Sequence, residues 1–492
     1  MPLFDIETQK VTISDRITLN TSLASGSYTI LGSDTTSDGA AFEVLEVEEL
    51  DQFAELCREN GVTIESHFSV TVDGAAPETA ALETTAIEPM TLDVENPDPQ
   101  KGMAVYHVDE AGTVRWIFPN GLHQEAGSLN TTAEALGTTL SFNLPLAAMT
   151  GGQSESLALR VGQQFVRLVS WPLEQAAFEA IRLWEKAFRP YEFLQLKDGE
   201  FKDDIDWRFL RSGRSLLLIH GTFVYTESTY DALIAALIKQ GRFDELWEHY
   251  DGRIFAFSHP SLHHSPFANI DKFFEMLPFN GRPMELDFIA HSRGGLVARV
   301  LAEQPAHPGR VKVNKGVFVG TPNRGTALAD KQQWPFMLNR MANVALSLPI
   351  NQQNGLQTAL IRFAQFLGQG IIPDLPGLQS MDPDGAFQQN INQTSGHNTE
   401  YFAITADSEP TGERLLNLFR SEAADPHFDH AIHGEDNDVV VPSAGVHTLS
   451  QSATGFPIPT EKVHLFADST DVHHSNFFSQ SETINKLIQW LT

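Results

Sequence analysis

The sequence predicts an α/β protein: a mostly parallel β-sheet flanked by helices, preceded by a β-rich α+β region. Three observations carry this. From about residue 196 onward, short apolar segments alternate with segments of helical spacing, the pattern of a parallel sheet covered by helices. Between residues 103 and 172, several short runs alternate apolar and polar residues with period two, as in a β-sandwich or small barrel. Near the middle of the α/β part, Leu286, Phe288 and Ile289 read as a buried strand end, and Leu296, Val297, Val300 and Leu301 as a helix. Only the sharp turn Ala290-His291-Ser292-Arg293-Gly294 separates them.

At 492 residues the chain is too long for one ordinary domain. The shifts in pattern suggest three: a small α+β module at 1–95, a sandwich-like β-rich domain at 96–195 and the α/β domain at 196–492. With 41% hydrophobic and 20% charged residues there is ample material for cores. A formal net charge of −30 repels phosphate backbones and anionic lipid, so nucleic acid is not an expected partner. The single cysteine, Cys57, excludes an intramolecular disulfide; beside Phe53 and Leu56 it reads as a buried thiol on a helix. No run of about 18 apolar residues suggests a membrane span. Met1 to Glu7 lack a basic and then apolar leader pattern, so the cytoplasm is the expected location.

Taken in order, residues 1–35 suggest short strands, Phe42 to Val47 a strand, and Glu49 to Asn60 a helix that stops at Asn60-Gly61. A new strand is expected from Val62. Residues 73–101, rich in acids and turn formers, suggest a linker or edge segment. Strands follow at Met103–Val108, Thr113–Phe118, Thr139–Leu144 and Phe165–Trp171, then an amphipathic helix from Ala176 to Phe188. The α/β alternation then runs through strands at Ser215–His220, Arg253–Ser258, Leu286–Ile289, Gly316–Gly320, Tyr401–Thr405 and Lys462–Phe466. Helices are expected at Thr229–Lys239, Ile270–Leu277, after Gly294, and at Ser481–Leu491.

The turn around Ser292 sets the chemical question. A serine at the tip of a strand-to-helix turn, with small residues two before and two after it, suits a nucleophile elbow. Such a serine needs a base, an acid that orients the base, and two N–H donors for an oxyanion. In parallel sheets these parts sit on loops after strands. After the first strand of the alternation, His220-Gly221-Thr222 offers the backbone N–H of Thr222, to be paired with that of Arg293. After the last strand, Asp471-Val472-His473-His474-Ser475-Asn476 offers the base. His474 is preferred because it leads directly into the closing helix; His473 is the alternative. For the acid, Asp438 is preferred because the apolar run Val439-Val440-Val441 would bury its carboxylate; Asp436 and Asp407 are alternatives.

These motifs, with Gly320-Thr321-Pro322-Asn323-Arg324-Gly325 and Asn437-Asp438-Val439-Val440-Val441-Pro442, resemble α/β-hydrolases of the bacterial lipase and lipase-like carboxylesterase group, over residues 210–492. Ala290 in place of glycine is similar to a variant of Bacillus-type lipases. The resemblance implies an α/β-hydrolase fold and hydrolysis of a small-molecule or lipid ester through an acyl-enzyme on Ser292, His474 and Asp438, with no cofactor. It does not reach the first 195 residues, whose partner, if any, is left open. Some members hold calcium through an acid two residues after the catalytic histidine. Asn476 stands there, so calcium is not expected. His427-x-x-His430-x-x-His433 lies in an Asp-rich stretch and is taken as a solvated surface, with no metal assigned.

The segment from Ala327 to Gln388 is too long for a plain connection and is apolar. It is expected to form a helical cap or lid over Ser292, with Gln352-Gln353-Asn354-Gly355 as its hinge; ordinary core helices are the simpler alternative. The expected activity is a serine carboxylesterase or lipase. Its rivals are another acyl hydrolase on the same residues (phospholipid, thioester, amide or polyester) and a binding or effector module with a protein-interaction N-terminal half.

Overall fold

The computed structural model describes residues 3–4, 10–21, 25–32, 47–73, 90–95, 97–121, 139–145, 148–149, 158–159, 162–173, 177–279, 281–303, 309–348, 350–369, 374–393, 398–423, 434–449 and 458–492. The strand expected at Phe42–Val47 falls outside them, except that Val47 opens a helix. His427, His430 and His433 also lie outside the described residues.

The N-terminal strands are β1 (Leu3–Phe4), β2 (Lys10–Ser14), β3 (Ile17–Asn20), β4 (Ser25–Gly32), β5 (Thr63–Asp73), β6 (Met90–Glu95), β7 (Lys101–Val108), β8 (Val114–Ile117), β9 (Thr139–Leu144), β10 (Ala148–Met149), β11 (Ala158–Leu159) and β12 (Gly162–Pro172). Helix α1 (Val47–Glu59) precedes β5, and α2 (Ala177–Phe188) follows β12. A six-stranded sheet, β1-β4-β5-β12-β7-β8, faces a four-stranded sheet, β2-β3-β6-β9. Alternation explains the packing. Met103, Val105, Val166 and Leu168 bury against Leu19, Leu92 and Phe142 of the smaller sheet. Ala104, Tyr106, Val108 and Phe165 turn the other way, toward α1 and the rest of the chain.

Two expectations change here. Both sheets draw strands from either side of residue 96, so a boundary at 95/96 separates neither sheet. The expected linker at 73–101 contains β6, whose Met90, Leu92 and Val94 are buried. Three alternating apolar residues among acids and prolines are too few to stand out, yet they fill the sandwich.

The second unit is an eight-stranded sheet. It comprises β13 (Glu192–Lys197), β14 (Glu200–Lys202), β15 (Ser215–Ile219), β16 (Ile254–Ser258), β17 (Met284–His291), β18 (Val311–Val319), β19 (Glu400–Ser408) and β20 (Val463–Ser469), in the order β14-β13-β16-β15-β17-β18-β19-β20. Neighbours from β16 to β20 pair in parallel, while β13 and β14 are antiparallel. An expected boundary at 195/196 would cut β13. The helices between and after these strands are α3 (Trp207–Leu210), α4 (Thr226–Lys239), α5 (Phe243–His249), α6 (Pro266–Met276), α7 (Gly294–Glu303), α8 (Trp334–Ala345), α9 (Ile350–Leu367), α10 (Pro376–Gln379), α11 (Ala386–Ile391), α12 (Glu413–Ala423) and α13 (Ser481–Leu491).

They cover both faces of the sheet. Leu216 and Leu218 of β15 pack with Leu233 and Leu237 of α4 and with Ile484 and Leu487 of α13. Leu217 and Ile219 pack on the other face, in one core with Phe273 of α6 and Leu296 and Val300 of α7. Each such fully buried side chain contributes about 2 kcal/mol. This is the mostly parallel, helix-flanked sheet that the alternation predicts.

Helices α8 to α11 form the insertion between β18 and β19. The expected hinge is absent: Gln352 to Gly355 lie within the continuous helix α9. Helix α8 is buried on nearly all sides, with Trp334, Leu338, Arg340, Met341, Asn343 and Val344 all inside. Part of its cover is the N-terminal sheet. The Asn343 side chain accepts from Val114 N–H at 2.9 Å and donates to Val114 C=O at 2.7 Å. Asn339 accepts from Trp116 N–H at 2.7 Å. These amides supply the ladder partners that edge strand β8 lacks. Thr113 Oγ1 and the Arg115 guanidinium bond in turn to the backbone carbonyls of Arg414 and Asn417 on α12.

Cys57 on α1 has no exposed surface, and burial pushes its thiol up to about 12, with Arg167 offsetting only part of the shift. A disulfide reagent at about pH 8 should therefore leave the native chain unlabelled and titrate one thiol after denaturation. Rapid stoichiometric labelling of the native protein would contradict this packing.

Candidate active site

The turn after β17 is as sharp as its sequence requires. Ser292 has φ 54, in the left-handed region, and its N–H donates to Val319 C=O at 2.9 Å. Helix α7 starts two residues later. A Cβ at Gly294 would sit 2.4 Å from the carbonyl oxygens of Ile219 and His220. A Cβ at Gly221 would come 2.6 Å from the Ser292 Cβ. Neither position admits a side chain, and Ala290 is fully buried.

Three side chains from separate loops meet at this turn. His474 Nε2 lies 2.9 Å from Ser292 Oγ, and His474 Nδ1 lies 2.8 Å from Asp438 Oδ2. With Nδ1 donating to the carboxylate oxygen, Nε2 is left to accept from the serine hydroxyl. Asp438 is fully buried; its Oδ1 accepts from the N–H groups of Val440 at 3.1 Å and Val441 at 2.7 Å. The intervening Val439 is held at φ 85, unusual for a β-branched residue, by its N–H to Asn437 Oδ1 at 2.9 Å. His474 N–H donates to Asp438 C=O at 2.9 Å, so the two loops are also joined through backbone.

The alternatives lie elsewhere. His473 Nδ1 accepts from Ser475 N–H at 3.4 Å, and the contacts to Ser292 and Asp438 are made by His474. Asp436 accepts from Ser443 N–H through its backbone carbonyl. Asp407 is raised by burial and then by Asp436 and Glu409, in a cluster of like charges with no histidine contact. Asn476 fixes the histidine loop: its Oδ1 accepts from His473 N–H at 2.9 Å and its Nδ2 donates to Asp471 C=O at 2.7 Å.

The two backbone groups expected to face an oxyanion flank Ser292. Gly221, against the serine, leads into Thr222. Among the described residues neither Thr222 N–H nor Arg293 N–H has a hydrogen-bond partner in the protein. The Arg293 side chain is fully buried. Its Nε donates to Gly377 C=O at 2.8 Å, and its Nη2 donates to both His264 C=O and Asn269 Oδ1. Burial lowers its guanidinium to about 10, with Glu185 and Tyr191 opposing.

Three supporting residues escape sequence reasoning. His291 Nε2–H donates to His474 C=O at 2.8 Å and so braces the histidine loop. Gly320, at φ 55, lies under the pair: a Cβ there would come 2.9 Å from Asp438 Oδ2 and 3.2 Å from His474 Nδ1. Arg340 of α8 donates to Val439 C=O at 2.6 Å while paired with the buried Glu422. His291 and Gly320 stand inside the quoted motifs with no role given by the sequence, and nothing local marks Arg340. Among the described residues no group of three or more His, Cys, Asp or Glu is arranged to hold a metal ion.

Several histidines here are structural in the neutral form. His220 donates from Nδ1 to Gly221 C=O at 2.9 Å and accepts from His259 N–H at Nε2 at 3.1 Å, which the protonated ring cannot do. Burial holds His220 at about 4 and His473 at about 4; burial, then the neighbouring His474, holds His291 at about 3. These folded values lie below the unfolded value of about 6.5. Their contribution is therefore fully present above that pH and is lost as pH falls toward 4 and 3. Melting temperature should decline from about pH 6.5 downward, before most carboxylates titrate. A flat profile between about pH 7 and 5 would rule out the neutral buried histidines.

No curated protein matches the chain by sequence. Among solved structures, the mature form of lipase BlEst2 from Bacillus licheniformis is similar at 15% identity and a TM-score of 0.32, over 56% of this chain and 91% of that one. Lipase 1 from Pelosinus fermentans is similar at 12% identity and a TM-score of 0.39, over 57% and 97%. Phospholipase PlaB from Legionella pneumophila is similar at 16% identity and a TM-score of 0.30, over 47% and 45%. At these values the likenesses add nothing to what the sheet order and the site geometry already say. Family membership rests on sequence: the model of the domain of unknown function DUF7379 matches residues 182–492, well over half of the chain, and the chain belongs to that family.

Proposed function

We propose that this protein is a serine hydrolase that cleaves carboxylic esters through an acyl-enzyme, as a lipase-like carboxylesterase. The observation that carries the reading is the continuous relay from Ser292 Oγ through His474 to the buried Asp438, set at a left-handed strand-to-helix turn. In this reading Ser292 attacks the ester carbonyl while His474 Nε2 takes its proton. Asp438 holds the tautomer and stabilises the imidazolium. The carbonyl oxygen becomes an oxyanion facing the N–H groups of Thr222 and Arg293. His474 returns the proton to the leaving alcohol. Water, deprotonated by the same nitrogen, then attacks the acyl group; the acyl–Oγ bond breaks and His474 returns the proton to Ser292 Oγ.

The insertion supplies a wall in this reading, not a swinging lid. Met381 Sδ lies 3.9 Å from Thr222 Oγ1, beside a proposed oxyanion donor. Helix α8 is tied to the acid loop through Arg340 and to β8 through Asn339 and Asn343, so moving it would break both.

The test is turnover of a panel of nitrophenyl esters of increasing acyl length, with fluorophosphonate labelling followed by peptide mapping. Ser292→Ala should lower kcat about 10^5-fold or more and abolish labelling, and Asp438→Asn should lower kcat about 10^4-fold with little change in KM. A wild type inactive across the panel, or one labelled at another residue, would sink the assignment.

A further inference from the structure

Glu185 is a fully buried carboxylate that the proposed chemistry does not use. It lies on α2, ahead of the eight-stranded sheet. It receives the backbone N–H groups of Ser261 at 2.6 Å, Leu262 at 2.9 Å and His263 at 2.9 Å, together with the His263 ring. Burial alone would raise its carboxyl; the bonds from His263 and Leu262 outweigh that and hold it low, as a carboxylate. Three consecutive N–H groups on one anion fix the loop after β16 much as a bound ion would.

That loop touches both flanks of the Ser292 turn. On one side, Ser261 Oγ accepts the N–H of Phe223 at 3.2 Å. Phe223 has φ 65 and directly follows Thr222, so this bond holds the residue after the first donor in a conformation it would otherwise leave. On the other side, Leu262 C=O accepts from Gly377 N–H at 2.8 Å, and Gly377 C=O accepts from Arg293 Nε at 2.8 Å. A Cβ at Gly377 would fall 2.0 Å from Ser261 C=O, so the two backbones are in direct contact. His264 C=O also accepts from Arg293. The side chain of the second donor residue is thus anchored to the same loop.

We propose that Glu185 is the positioning residue of the oxyanion hole, holding the Thr222 and Arg293 donors in register through the 261–264 loop. It touches neither Ser292 nor the reacting atoms. Its effect falls where charge develops, so it governs binding of the transition state more than that of the ester. The proposal rests on the reading of Ser292 as nucleophile.

The experiment compares full-length wild type, Glu185→Gln and Ser261→Ala. It measures kcat and KM on a short-chain nitrophenyl ester, inhibition by a trifluoromethyl ketone, whose serine adduct carries an oxyanion, and melting temperature. Glu185→Gln should lower kcat about 10- to 100-fold with KM within about 3-fold, less than the loss from deleting a donor outright. Ketone affinity should fall in proportion. Ser261→Ala, which removes the Phe223 arm and the 3.4 Å bond from Ser261 Oγ to Glu185 but keeps the three backbone N–H bonds to Glu185, should show the same pattern at about 3- to 10-fold. Folded variants with unchanged kcat and unchanged ketone affinity, whatever their melting temperature, would overturn the proposal. If Glu185→Gln does not fold, Ser261→Ala decides alone, and unchanged turnover there overturns it. A wild type that neither cleaves ester nor binds the ketone removes the reading of Ser292 itself, and the proposal with it.

Discussion

The contact on which the rest depends is the one between the carbonyls where β15 ends, those of Ile219 and His220, and the first residue of α7. At 2.4 Å from a virtual Cβ, the oxygens of Ile219 and His220 leave room for nothing but glycine at position 294. Because the helix can start there, Ser292 is forced into the left-handed region, at about 1–3 kcal/mol of local strain. Its hydroxyl is thereby lifted to the carboxyl edge of the sheet, where the loops after β15, β18, β19 and β20 converge. Each of those loops brings one part of the arrangement: Gly221 and Thr222, Gly320, Asp438, and His474. The strain is held by the two packed cores on either side of the sheet, and neither core could shift far without moving the turn.

What could be read from the sequence follows the range of the interactions involved. The Ser292 turn is local: three apolar residues, a small residue on each side and an apolar helix face declare it within about sixteen positions. The preference for Asp438 over Asp436 and Asp407 rests on a neighbouring apolar run, two of whose backbone N–H groups, those of Val440 and Val441, bond the buried carboxylate. The misreadings share a different cause. Gln352-Gln353-Asn354-Gly355 is a turn signal by composition, but the helix continues through it to seat Leu356, Ala359, Leu360 and Phe363 in the core. Met90, Leu92 and Val94 form a strand only because another sheet needs them. Glu185, His291 and Arg340 act across 76 to 183 positions of chain, where no spacing rule reaches.

The N-terminal half is joined to the α/β half by bonds that are specific and buried. Gln365 of α9 donates to Asn60 C=O at the end of α1, Asn339 and Asn343 of α8 bond the backbone of β8, and Glu185 of α2 holds the loop after β16. Each contact uses a side-chain group to satisfy backbone that the neighbouring unit leaves open. Two of the joining helices, α2 and α8, also reach the loops around Ser292. The sandwich is therefore mechanically continuous with the loops around Ser292.

The amides of α8 on β8 also bear on how the chain is made. Val114 and its partner Asn343 are separated by 229 positions. At roughly 5–20 residues per second, the ribosome needs on the order of 10–45 seconds to travel between them. For that interval the sandwich has an open outer strand, with polar backbone groups aimed at the crowded surroundings of a growing polypeptide. The strand is short, only four residues, and carries Arg115 at its centre, and both features discourage pairing with a stranger. The same brevity and charge that make β8 a poor strand in the finished protein make it a safe one during synthesis.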